Sequence, residues 1–478
     1  MKIHHRLAAI SEKFLPNSKT IRIIWMASLA FSATLALLPW LVLAFYSGWI
    51  YNSLAGIDHW IYFGYFLNYP RYVAEWFPDR YYGSRLPWVL PGYLLHLFFD
   101  PKTARYILHL GFYYIAVFSL YALLRKAVGA RTALLTSVLF GTYSFFLAAI
   151  GWDYVDGAGL TYNLLALLCM ERAANSSRPR LWLAASGVAA AAMFYCNVFL
   201  VVFWPMLPAF YIYQVYQGFS KSTLRLAIRF ALWFGFGVLL VTLVLGTVNY
   251  AVGGGFWFYA PSLAFFRSSG SKPNPWFQPG WHWAVQAGWL AFPLVTVLGS
   301  AFYVILGILR RTFGGRDPRL FFAVQYLACA AIMIGWQMAG GLGLAGYHYN
   351  SYLLPSAFLA LGCMLATHFE DWPAAIYWLF LLTVCVAFAV SLKLTMLSVA
   401  NQIRDLGWFP IALCLGLCFV LNNVLRNRWQ MLLLILGGFW ICQLAFRMGY
   451  PGSEHSATIW RGSWKARKWF AITPAKIR

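Results

Sequence analysis

The sequence predicts an all-α polytopic membrane protein of about 11–13 transmembrane helices with a long first extracytoplasmic loop of interfacial helices. Three observations carry this expectation. Of the 478 residues, 62% are hydrophobic and 10% charged, well above the roughly 45–50% apolar content of soluble domains. Apolar runs of about 20 residues recur from end to end, each able to cross a hydrocarbon core roughly 30 Å thick. Runs such as "IRIIWMASLAFSATLALLPWLVLAFY" show no two-residue alternation, which excludes a β-barrel.

Residues 1–22 are basic and precede an apolar run too long for a signal peptide, so they read as a cytoplasmic start before a retained first span. The clusters Arg125/Lys126/Arg131, Arg172/Arg178/Arg180, Lys221/Arg225/Arg229, Arg310/Arg311/Arg316/Arg319 and Arg426/Arg428 mark the same side by the positive-inside rule. Alternation between them predicts spans at 23–47, 105–124, 132–150, 157–171, 181–196, 198–217, 229–251, 283–309, 321–340, 351–367, 374–395, 408–425 and 430–447. This divides the chain into an N-terminal module, 23–217, with outer loop 48–104, and a C-terminal module, 218–447, with outer loop 252–282. An odd count puts the basic tail 448–478 outside, against its charge, and one late span more or fewer reverses it.

The net charge of +23 sits in short clusters between spans, so it fits topology and not nucleic acid. All eight cysteines lie in or beside apolar runs without a CxxC, which argues against a disulfide framework. Cys414 and Cys418 share a helix face, but buried cysteines usually pack as small apolar residues.

Only 13 Asp and Glu occur. On this topology Asp58, Glu75, Asp79, Asp100, Asp153 and Asp156 all fall outside, which points to a catalytic centre at the outer face. Asp79 and Asp100 read as turn residues. Asp58 stands where the first span leaves the hydrocarbon, ahead of the aromatic "HWIYFGYF". Partial burial would suit it to act as a base, and capping of an interfacial helix is the equal alternative. "GWDYVDGAG" sets Asp153 and Asp156 three apart, to orient a sugar hydroxyl, hold a cation or cap a helix. Arg85 in "YYGSRLPW" and His348 in "GYHYNSYLLP" offer cationic partners for a phosphate, with headgroup contact and a satisfied interfacial histidine as alternatives. Trp60, Trp152 and Tyr154 offer faces for a sugar.

The order of these features resembles the GT-C glycosyltransferases, in particular the protein mannosyltransferase and aminoarabinose transferase branch: a first span, an outer loop opening on an Asp, "YYGSRLPWVLPGYLLHLFF", "GWDYVDG" and a late "HYNSYLLP". The likeness covers the first 200 residues or so and 347–355. It implies transfer of a sugar from a polyprenyl-phosphate donor to a lipid, glycan or protein acceptor at the outer face of a bacterial inner membrane. It places the essential acid on Asp58, with His59 where the family often carries a second acid. It makes Asp153 or Asp156 the second acidic position, and Tyr349, Tyr352 and Pro355 the late Tyr-Pro motif. Arg85, His348, Tyr349 and Tyr352 would then face the donor phosphate, and His59, Trp152, Asp153 and Asp156 the acceptor or sugar. No cofactor is required by these residues, and a divalent cation stays open. A transporter or flippase of lipid-linked saccharides would also use a cationic, aromatic outer cavity, but with ionisable groups at mid-membrane. An O-antigen polymerase or ligase would carry its large outer loop late in the chain, whereas here it lies first.

Overall fold

The computed structural model of the chain describes residues 18–45, 49–50, 58–152, 154–215, 221–269, 290–314, 316–339, 344, 347–366, 369–393 and 437–443. Among them the structure is helical, with no strand. After α1 (Ser18–Phe45) come α2 (Asp58–Arg71), a π-helical turn (Tyr72–Trp76) and α3 (Leu86–Phe98). These last three occupy the region expected to hold interfacial helices. Long helices follow: α4 (Pro101–Val128), α5 (Ala130–Thr142), α6 (Ser144–Gly151), α7 (Asp156–Asn175) and α8 (Pro179–Cys196). A 3-10 segment (Val198–Phe203) leads to α9 (Met206–Val215), then α10 (Lys221–Ala251), α11 (Ala260–Ser269), α12 (Ala291–Leu309) and α13 (Pro318–Met338). A short turn at Tyr347–Asn350 and a 3-10 segment at Ser351–Leu353 enter α14 (Leu354–Leu365), and α15 is Ala374–Lys393.

Five of these stretches are long and apolar enough to cross a membrane: Pro101–Val128, Val198–Val215, Leu224–Ala251, Ala291–Leu309 and Pro318–Met338. The pair α5 and α6, bent by 60°, makes a sixth if it counts as one span. The set is compatible with a multi-pass membrane protein. α10 leaves Leu224, Ile228, Leu232, Phe236, Leu239 and Leu243 exposed along its length, the surface a lipid-facing helix needs.

The stretches expected to span at 157–171 and 181–196 are helical, as α7 and α8, but neither is among the helices long and apolar enough to cross a membrane; 408–425 lies outside the described residues, as do Cys414 and Cys418. The span expected at 132–150 is broken instead of continuous. Tyr143 adopts extended backbone between α5 and α6, and Gln443 stitches the break: its Nε2 donates to the Thr142 carbonyl and its Oε1 accepts from the Ser144 amide, both over 2.7 Å. Backbone groups freed inside an apolar core are thereby satisfied.

One apolar core runs through both modules, and α14 packs on α4, α5 and α7. α8 and α10 approach at Gly187 and Gly237, where an added Cβ would meet a backbone carbonyl of the other helix at 2.1 and 2.0 Å. Small residues permit such close helix contact. At the basic ends of the helices, acids are structural: Lys126 reaches Glu171 over 2.6 Å, Arg319 chelates Asp317, and the Glu370 carboxylate accepts from the Thr132 amide at the start of α5. Asp100 caps α4 by accepting from the amides of Lys102 and Thr103, as its turn-like sequence predicts.

Candidate active site

α2 brings the first components together. Asp58 is its first residue, Tyr62 and Tyr65 are buried along its helical stretch, and Tyr69 is buried just past a break at Asn68, whose backbone is not helical (φ −153°, ψ 67°). The chain then returns through a turn at 79–85, which lays Tyr81, Tyr82 and Arg85 against that face. The Tyr82 hydroxyl donates to Asp58 Oδ1 over 2.5 Å, and the rings of Tyr81 and Tyr82 stack with centroids 4.0 Å apart. Burial first, and then the hydrogen-bonded Asp58 carboxylate, push the Tyr82 phenol well above its ordinary value, so it stays a donor. Asp58 is half-buried and uses its carboxylate on this tyrosine at the positive end of α2.

Arg85 is the centre of the group. It stands at the N-cap of α3, is 6% exposed, and donates through an Nη to the Tyr62 hydroxyl over 2.5 Å. Its guanidinium carbon lies 4.8 Å from the Tyr81 ring, 5.2 Å from Tyr154 and 5.9 Å from Tyr62. Cation–π contacts of this kind are worth about 2 kcal/mol when desolvated, against a burial penalty of several kcal/mol for the ion. Among the described residues no carboxylate forms an ion pair with it. A buried cation held by phenols is half of an anion site, and it stands at the positive end of α3.

The second acid enters from α7. Asp156 is fully buried in the first turn of that helix and accepts a hydrogen bond from the Tyr352 hydroxyl. That hydroxyl in turn accepts from Asn197 Nδ2 over 2.6 Å, so α7, α8's end and the late 347–353 segment meet in one network. Tyr349 lies within the electrostatic reach of Arg85, Asp156, Tyr81 and Asp58 together. The structure therefore brings Asp58, Arg85, Asp156, Tyr349 and Tyr352 to one place.

Other candidates stand differently. His59 is buried with its ring 4.6 Å from Trp60. Trp152 is fully buried, so the expectation that it offers a face to a sugar is corrected: its indole is packed into the core. Tyr154 and Trp60 retain part of their surface. Asp153 and the side chain of His348 lie outside the described residues. Among the described residues no three His, Cys, Asp or Glu side chains converge as metal ligands.

Sequence reasoning missed Tyr62, Tyr81, Tyr82 and Asn197. The i, i+4 relation of Asp58 and Tyr62 was the available signal for the first, and the doublet before "GSR" for the next two. Nothing local marks Asn197. The chain matches no protein-family model, no curated protein and no solved structure.

Proposed function

We propose that the chain is a multi-pass membrane glycosyltransferase with about 11–13 spans, moving a sugar from a polyprenyl-phosphate donor to a lipid, glycan or protein acceptor at the outer face of the membrane. The observation that carries this reading is the buried Arg85, caged by tyrosines and without a carboxylate partner among the described residues, beside the Asp58–Tyr82 pair. Arg85 and the start of α3 stabilise the phosphate as it departs. The acceptor oxygen attacks the anomeric carbon, the bond from that carbon to the phosphate oxygen breaks, and its electron pair leaves with the polyprenyl phosphate. Asp58 takes the acceptor proton, while Tyr82 holds the carboxylate in register. Tyr349 lies within electrostatic reach of both charges, and Asp156 with Tyr352 holds the segment that carries it.

A transporter of the same lipid-linked sugars is the second reading, favoured by the broken α5–α6 span. Its ends are tied by Gln443 on both sides, the mark of a fixed bend. The deciding experiment incubates purified wild type and Asp58→Asn with a panel of polyprenyl-phosphate sugars, with and without EDTA, and follows release of polyprenyl phosphate. Release by wild type alone supports the transferase. No release from any donor, with uptake of the intact donor across vesicles, supports the transporter.

A further inference from the structure

The first outer loop meets the second on the far side of the 79–85 turn from Arg85. There a cavity of about 760 Å³ opens between Asp79, Arg80 and Ser84 on one wall and Gly255 and Trp257 on the other. The two walls are joined firmly. Ser84 and Ser262 share a hydrogen bond, the rings of Tyr81 and Phe265 stack 4.7 Å apart, and Tyr69 donates to Asn249 Oδ1. Asn249 Nδ2 in turn donates to the Gly255 carbonyl over 2.7 Å, holding the glycine strand in place.

The exposed groups at this cavity have the chemistry of a saccharide site. Trp257 is 59% exposed, an indole with a polar edge that keeps more than half of its surface accessible beside edge-on ring contacts with Phe256 and Tyr259. Asp79 and Arg80 are both exposed, and among the described residues neither makes an ion pair or a side-chain hydrogen bond. Asp79 holds a left-handed backbone, φ 53°, which presents the two charged side chains in succession at the turn. A planar carboxylate and a planar guanidinium opposite an aromatic face supply paired acceptors and donors for vicinal hydroxyls. The volume lies within the roughly 300–1,000 Å³ of small-molecule sites.

We propose that this cavity binds the saccharide portion of the acceptor, stacked on Trp257 and hydrogen-bonded by Asp79 and Arg80. The identification of the saccharide as acceptor rests on the transferase reading; the binding itself does not. Gly83 and Ser84 line the cavity and Arg85 follows them in the chain, so one turn carries both the cavity wall and the proposed phosphate ligand.

The test uses the full-length protein in amphipol and saturation-transfer difference NMR with four free trisaccharides: maltotriose, cellotriose, chitotriose and mannotriose. Gly255 lines the cavity and a Cβ added there meets nothing within 4 Å, so Gly255→Val narrows the cavity without a clash, and Trp257→Ala removes an exposed side chain. At least one trisaccharide binds wild type saturably, and each variant weakens it about tenfold or more. Absence of binding by all four sugars, or equal binding by wild type and Gly255→Val, overturns the proposal, and would do so even if transfer from the donor is intact.

Discussion

The Tyr82 hydroxyl donates to Asp58 Oδ1 over 2.5 Å, tying the first residue of α2 to the turn that delivers Arg85. One hydrogen bond thus couples the proposed base to the proposed phosphate site, and its loss should be felt in turnover more than in binding. Tyr82→Phe keeps the ring stack on Tyr81 and removes the hydroxyl that donates to Asp58 and also meets the Tyr81 side chain. The expected result is a fall of about tenfold to a hundredfold in kcat with little change in donor KM, read from steady-state transfer.

The same phenol sets an alkaline signature. Burial and Asp58 raise it above the usual value of about 10, so the folded state holds this proton more tightly than the unfolded one. The stabilisation is complete below about pH 10 and is lost as pH rises from there through the folded value. Thermal unfolding of wild type against Tyr82→Phe between pH 7 and 11 should therefore show curves that run parallel at neutral pH, with the wild type falling more steeply above about pH 10.

Arg85 lacks a carboxylate partner among the described residues, so removing its charge leaves no orphaned anion there. Breaking a buried ion pair commonly costs about 3–5 kcal/mol, and that penalty does not apply. Arg85→Met should fold, with a stability change of no more than about 1–2 kcal/mol, and should lose donor binding in a direct titration with polyprenyl phosphate. Arg85→Lys should recover it only in part, because an ammonium lacks the bidentate fork.

How much of this was legible in the chain depends on distance along it. The apolar runs and basic clusters foretold the long helices, and Asp58 and Arg85 stood out as scarce charges on one loop. The tyrosine cage did not, because it requires the helical phase of 58–62, the return of the 79–85 turn, and Tyr154 from beyond α6. Asn197 and Tyr352 meet across 155 positions, which no local pattern records. The α5–α6 break was hidden for a related reason: its apolar composition is continuous, and the partner that stabilises the break, Gln443, lies some 300 residues away.

Two networks give stability predictions that separate structure from chemistry. Tyr352→Phe takes a donor from the buried Asp156 and an acceptor from Asn197, and should cost about 1–3 kcal/mol and lower transfer together, since the 347–353 segment loosens. Thermal unfolding and transfer, measured on one preparation, should fall in step.

Gln443→Leu leaves the Thr142 carbonyl and the Ser144 amide unpaired at the helix break. It should also destabilise by about 1–3 kcal/mol, yet leave the donor KM unchanged. A lowered Tm with unaltered KM would assign the bend to the scaffold.

The most direct measurement is single-turnover transfer, with donor binding followed in the same samples, for wild type, Asp58→Asn and Arg85→Met. The predicted result is that Asp58→Asn binds donor as tightly as wild type but forms no product, while Arg85→Met fails to bind. Transfer by Asp58→Asn at the wild-type rate would contradict the account.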